Sequence, residues 1–311
     1  MAESESAGPV PVFEDPFLDA PQFTTDIEPE PRLQILDFEN QSGTNLYGRY
    51  WKPKGRPKAL VCMVHGFGEY LITYHEVSTA LAQEGCLVFG HDHSGHGKSG
   101  GERATASSIE DFAVDVIAHC QKMRASFENT PLFVVGHSMG GMITLLAVDL
   151  EPFLFNGIVL VGPFVSMHWS ITLPIQKILA TAVSRFAPNL TVGRIGVEAV
   201  TSDEINRQKI VNDSLWWNGT IKAQMAVAFL NGINRIATVM DDYSIPMLII
   251  HGDKDSLCDL EGSKRLHAAS KATDKELKVY PDALHNLYLE TKEIREMAVQ
   301  DTVTWILKRI K

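Results

Sequence analysis

Ser138 stands at the centre of Gly136-His137-Ser138-Met139-Gly140, a setting that suits a nucleophilic hydroxyl. Leu132 to Val135, four apolar residues, predict a short buried strand, and Met142 to Leu150 predicts a helix free of proline. A strand that turns straight into a helix forces the central serine into strained backbone and lifts its Oγ above the sheet. Glycines on either side allow the turn to be that tight. The same corner aims the Met139 N–H, at a helix start, towards an oxyanion forming beside Ser138. The bland alternative is a glycine-rich turn holding an inert serine, and the flanking strand and helix argue against it.

A serine hydroxyl is a poor nucleophile at neutral pH, so it needs a base, and the base needs an orienting carboxylate. In doubly wound sheets, loops after the carboxyl ends of strands converge on one edge. Three such loops supply serine, acid and histidine in that chain order. His285 is the last histidine and lies just past the final predicted strand. Asp253, Asp255 and Asp259 all follow the strand Pro246 to Ile250. Asp255 lies far enough into its loop to reach His285, whereas Asp253 is better placed to close an Asx-turn. The expected triad is therefore Ser138, Asp255 and His285.

A second oxyanion donor is expected from the N–H of Phe67, because Gly66-Phe67-Gly68 leaves the backbone free to turn inward. His65 and Glu69 are expected to brace that loop. His91, His93 and His96 raise the thought of a metal. Zinc sites usually bring cysteine or carboxylate at helical or knuckle spacing, which this Gly/Ser-broken loop lacks. No metal and no cofactor are expected.

The elements that must position these residues alternate. Predicted strands lie at Leu33 to Glu39, Asn45 to Trp51, Ala59 to Val64, Cys86 to Phe89, Leu132 to Val135, Gly157 to Val161, Pro246 to Ile250 and Leu277 to Tyr280. Helices fall around Val77 and Leu81, then at Ser108 to Phe127, Met142 to Leu150, Glu261 to Ser270 and Ile294 to Ile310. Such alternation predicts a mainly parallel sheet, here eight-stranded, with helices on both faces. After strand six the rhythm breaks for 82 residues, 164–245, where a crossover needs about a dozen. That stretch predicts a helical cap, with an apolar face from Ile171 to Phe186 and a second apolar segment from Trp216 through Phe229. Residues 32–163 and 246–311 form the expected core.

Net charge is −10, but residues 1–31 carry eight acids and no Lys or Arg, leaving −2 for the rest. A near-neutral body offers no nucleic-acid signal. The acidic, Pro-rich stretch 1–31 predicts a tail without a fold of its own and is neither a secretory signal nor a transit peptide. No apolar run reaches the roughly 18–20 residues of a membrane span. Cys62, Cys86, Cys120 and Cys258 show no metal or C-x-x-C spacing, which points to the cytosol.

The chain resembles the monoacylglycerol lipases of the α/β-hydrolase superfamily. His65 to Glu69, His91 to Arg103, Gly136 to Gly141, Gly252 to Asp259 and the His285 segment carry the resemblance, in that family's order and spacing. It implies the α/β-hydrolase fold, a Ser138–Asp255–His285 triad and an oxyanion hole from Phe67 and Met139. It implies a mobile apolar cap in peripheral contact with membranes, and cofactor-free cleavage of monoacylglycerols to glycerol and fatty acid. The family usually opens the helix after the oxyanion loop with a His and, three residues on, an Arg; here Tyr70 and Thr73 stand there. Rival readings are a broader carboxylesterase or lysophospholipase, and a non-catalytic lipid- or protein-binding relative. The intact triad disfavours the last, and a serine at the elbow disfavours epoxide and haloalkane hydrolases, which place Asp there.

Overall fold

The computed structural model describes residues 38–166, 184–217 and 220–310. The acidic tail, and the apolar face from Ile171 to Val183, lie outside these residues. Five strands, apolar but for a histidine at or near the end of three of them, are buried at every position: β4 (Ala59–Val64), β5 (Cys86–His91), β6 (Leu132–His137), β7 (Gly157–Val161) and β10 (Met247–Gly252). Runs of this kind belong in a parallel sheet covered on both faces. They form its centre, in the order β11 (Lys275–Tyr280), β10, β7, β6, β4, β5, β3 (Gly48–Trp51). Only β3 runs antiparallel, pairing Gly48 with His91 and Trp51 with Val88. The sheet thus has seven strands among the described residues where eight were expected.

The difference arises at Tyr47. The stretch expected as one strand, Asn45 to Trp51, divides there into β2 (Asn45–Leu46) and β3. Tyr47 N–H donates to Ser99 Oγ at 2.8 Å, and its carbonyl accepts from Asp92 N–H at 2.9 Å. These contacts take its backbone groups into the loop after β5. β1 (Phe38–Glu39), the described end of the strand expected over Leu33 to Glu39, pairs with β2 in a separate two-stranded ribbon, and residues 33–37 of that expected strand lie outside the described residues.

Helices cover the two faces. On one side lie α2 (Ile109–Ser126), capped by the Ser108 hydroxyl accepting from Glu110 N–H, and α3 (Met139–Leu150). Ile109, Phe112, Val116, Ile117 and Cys120 of α2 are buried, as their helical spacing requires. On the other side, α1 (His75–Gln83) sets Val77 and Leu81 in one cluster with Val303, Trp305 and Ile306 of α7 (Lys292–Leu307).

Between β7 and β10 the described residues hold a short antiparallel ribbon, β8 (Thr191–Arg194) with β9 (Thr220–Lys222). They also hold α4 (Glu204–Asn212) and α5 (Ala223–Val239). The insertion is therefore not purely helical. Met225 and Phe229, part of its second apolar segment, join the main core cluster with Met142 of α3. Phe186 is 85% exposed, and Leu190 and Val192 are about half exposed. Among the described residues no helix is long and apolar enough to cross a membrane. α6 (Leu260–Ala269) follows β10, with Asp259 capping it.

A cluster of five buried histidines lies beneath the loop after β5. His91 Nδ1 lies 3.1 Å from His119 Nδ1, His93 stacks on Phe112 at 5.1 Å, and His65 Nε2 accepts from His93 N–H at 2.8 Å. Burial lowers His65 to about 4 and His96 and His119 to about 3, and holds His91 and His93 well below the ordinary range. Below about pH 6.5 the unfolded chain takes up protons at these sites that the folded chain refuses, so stability falls as pH falls. Asp92 and Asp115 oppose this, because burial raises each carboxyl to about 6 and the folded chain protonates there first. With five groups against two, the thermal midpoint followed by circular dichroism should drop between pH 7 and pH 5. A midpoint that held or rose would contradict this account of the cluster.

Candidate active site

The corner expected at Ser138 is present, and α3 begins at the very next residue. Ser138 has φ 54° and ψ −118°, a strained left-handed conformation for a side-chain-bearing residue. Its N–H donates to the Val161 carbonyl of β7 at 2.9 Å, which ties the strained residue to the sheet. Gly140, the second residue of the helix, lies so close to β4 that a Cβ there would sit 2.0 Å from the Val64 carbonyl oxygen. That close approach seats the helix N-terminus, whose first N–H groups have no intrahelical partner, at the end of the central strands.

The carboxylate and imidazole meet across two loops. Asp255 Oδ2 lies 2.7 Å from His285 Nδ1, and both residues are buried. Asp255 Oδ1 accepts from Leu257 and Cys258 N–H at 2.8 and 2.9 Å, which fixes the carboxylate plane. Burial alone would raise the Asp255 pKa, but the charge of His285 and hydrogen bonds from His251 and His285 hold it far below the usual carboxylate range. It is ionised at any working pH. Gly162, at φ 47°, makes room for the pair, since a Cβ there would lie 3.3 Å from Asp255 Oδ2 and 3.4 Å from His285 Nδ1.

The other two aspartates do different work. Asp253 Oδ1 accepts from Asp282 N–H at 2.7 Å, bracing the turn after β11 rather than its own loop. Asp259 caps α6.

Ser138 and His285 line one pocket together with Phe67, Trp216, Trp217 and Leu257. Ser138 Oγ is 3.9 Å from Cys258 Sγ. Burial and the neighbouring Asp255 charge keep that thiol protonated by raising it well above its ordinary value. Phe67 packs edge-on against Phe229 and His96, at 5.6 and 5.7 Å between ring centres. His65 and Glu69 brace the Phe67 loop, as expected: His65 Nδ1 lies 2.8 Å from the Gly66 carbonyl oxygen, and Glu69 Oε2 accepts from Gly66 N–H at 3.0 Å.

Residues 55–292 match the family model described as "Serine aminopeptidase, S33". The monoglyceride lipase of Mus musculus is 34% identical over 280 residues, which cover 90% of this chain and 92% of that one. The chain belongs to the monoglyceride lipase family. Two solved structures share its fold. A soluble variant of monoglyceride lipase from Saccharomyces cerevisiae, in complex with a substrate analog, has a TM-score of 0.78 at 24% identity, covering 93% of this chain and 99% of that one. Paleococcus ferrophilus monoacylglycerol lipase has a TM-score of 0.77 at 22% identity, covering 85% and 99%.

Within that family pattern, the two departures differ in how they are held. Tyr70 OH donates to Asp213 Oδ2 of the insertion at 2.7 Å, and Thr73 sits in a buried 3-10 turn, Leu71–Tyr74.

Sequence reasoning did not find the network around Glu69. This buried carboxylate accepts from Tyr74 OH, contacts His137 Nδ1 at 3.1 Å and accepts from Asn286 Nδ2 at 2.9 Å. It thereby joins the Phe67 loop, the residue before Ser138 and the residue after His285. His251, 3.1 Å from Asp255 Oδ2, was likewise unforeseen. The signals were a Glu three residues after Gly66 and a His four before Asp255, neither of which shows its partner in a linear chain.

Gly140→Ala should destabilise the fold by about 1–3 kcal/mol or more, because backbone must move to accept the methyl. Gly193→Ala, where a Cβ meets nothing nearer than 3.7 Å, serves as the control. Urea denaturation of both variants checks this, and equal midpoints would refute the close-packing account of the elbow.

Proposed function

We propose that this protein is a serine hydrolase that cleaves monoacylglycerols to glycerol and free fatty acid through an acyl-enzyme. The 2.7 Å contact between Asp255 and His285, with Ser138 on the wall of the same pocket, carries this reading. Family membership gives it a substrate class. His285 takes the Ser138 hydroxyl proton as Oγ attacks the ester carbonyl, and ionised Asp255 stabilises the imidazolium that forms. The N–H groups of Phe67 and Met139 hold the oxyanion. Glycerol leaves with the proton from His285, and water, activated by the same base, releases the fatty acid.

The remaining parts have roles in the same proposal. Residues 32–163 and 246–311 form the catalytic body, and 164–245 act as a cap over it. Ile195, Val197, Trp216 and Trp217 of the cap line the pocket and supply an apolar wall suited to an acyl chain. Exposed Phe186, Leu190 and Val192 offer a surface for peripheral membrane contact by a cytoplasmic enzyme.

Replacing the nucleophile of such a unit costs on the order of a millionfold in turnover. Ser138→Ala should therefore lose fatty-acid release from a monoacylglycerol, measured by titration of the acid. A variant still working near the native rate would end the assignment. Asp255→Asn should lose about 10⁴-fold, because the imidazole is then held in the wrong tautomer.

A further inference from the structure

Glu290 is fully buried, between β11 and α7. A carboxylate withdrawn from water needs donors on both oxygens, and Glu290 has four. Oε1 accepts from Leu284 N–H and from Ser202 N–H, each at 3.0 Å. Oε2 accepts from Thr291 N–H at 3.0 Å and from the Ser202 hydroxyl. One side chain thus joins the cap to the residue immediately before His285.

The residue immediately after His285 is held by the cap as well. Asn286 N–H donates to the Val200 carbonyl at 2.8 Å. Three residues on, the Leu289 carbonyl accepts from Thr201 Oγ1 and from Asn206 Nδ2, both at 2.7 Å. Thr201, Asn206, Asn286 and Glu290 are all buried. Asp203 caps α4 from within the same segment, with Thr201 and Ser202 just before the cap and Asn206 in the first turn of the helix. Apolar packing also attaches this insertion to the body, through Met225 and Phe229. These bonds instead converge on the backbone either side of the imidazole that must move the proton.

We propose that Glu290 is a positioning residue: with Ser202 it clamps residues 200–206 of the cap to the loop bearing His285, so that seating this part of the cap and placing the imidazole are one event. The proposal rests on the reading of Ser138, Asp255 and His285 as the catalytic unit. Glu290 touches neither substrate nor reacting atoms. It acts through Leu284, whose amide sets where the next residue's side chain projects.

Glu290→Gln keeps the shape but turns one acceptor oxygen into an NH2 that faces donors. Ser202→Ala removes a single hydroxyl from the cap side. An error of about 1 Å in a catalytic group can cost on the order of 100-fold. Glu290→Gln should lower kcat on a short aryl ester by about 10- to 100-fold with KM little changed. Ser202→Ala should lower it less, and Ser202→Thr, which keeps the hydroxyl, should recover it.

The rate at which a fluorophosphonate labels Ser138 should fall in parallel with kcat. An Ile117→Val variant, on α2 in the core cluster that covers the other face of the sheet, should lose thermal stability while keeping its labelling rate. Should Glu290→Gln not accumulate as folded protein, Ser202→Ala and Ser202→Thr carry the test alone. Wild-type kcat and labelling in the Ser202→Ala or Glu290→Gln proteins, with only the melting temperature lowered, would overturn the clamp and leave a structural staple. Labelling does not depend on the natural acyl substrate. Failure of the substrate reading would show instead as wild-type protein that labels without turning over a monoacylglycerol.

Discussion

A carboxylate taken out of water must be met by hydrogen-bond donors or opposite charge, and the energy at stake is several kcal/mol per group. Asp255, Glu69 and Glu290 are three such groups, each buried and each answered from more than one loop. Asp255 is met by His285, His251 and two amides of its own loop. Glu69 is met from the Phe67 loop, the elbow and the residue after His285. The loops bearing Phe67, Asp255 and His285 have no regular structure to hold them. Their mutual placement follows from satisfying these three side chains, and the sheet supplies only the edge from which they depart.

The sheet's contribution is strain and proximity. β6 and α3 meet at a residue no relaxed chain would hold at φ 54°, and the structure tolerates it because Gly140 lets the helix lie against the Val64 carbonyl. The two devices divide the work. Packing fixes Ser138 from behind, and buried polar contacts fix His285 and the Phe67 loop from the sides.

The centre of this architecture was legible in the chain because it is written in local pattern. β4, β6, β7 and β10 are continuous apolar runs, and the stripe on α2 has a helical period, so each could be read without its neighbours. The juxtaposition of Asp255 and His285 was legible because strand order fixes which loops converge. The sheet edge was not. Whether Asn45 to Trp51 makes one strand or two depends on Tyr47 meeting Ser99 and Asp92, partners some fifty residues away in sequence. The polar bracing was equally hidden. Glu69 and Asn286 are 217 residues apart, and nothing in the types of either residue names the other. Ser202 and Glu290, in segments of unremarkable composition, gave no sign at all.

The bonds that fasten residues 200–206 beside His285 form a shared set, and a shared set opens as a unit. Warming that frees this stretch takes the Val200 carbonyl from Asn286 N–H and both Ser202 donors from Glu290 together. With His285 placed by this stretch as proposed, such a local opening removes activity without melting of the molecule. Any occupant wedged between the cap and the body, by binding only the closed form, delays that opening by mass action.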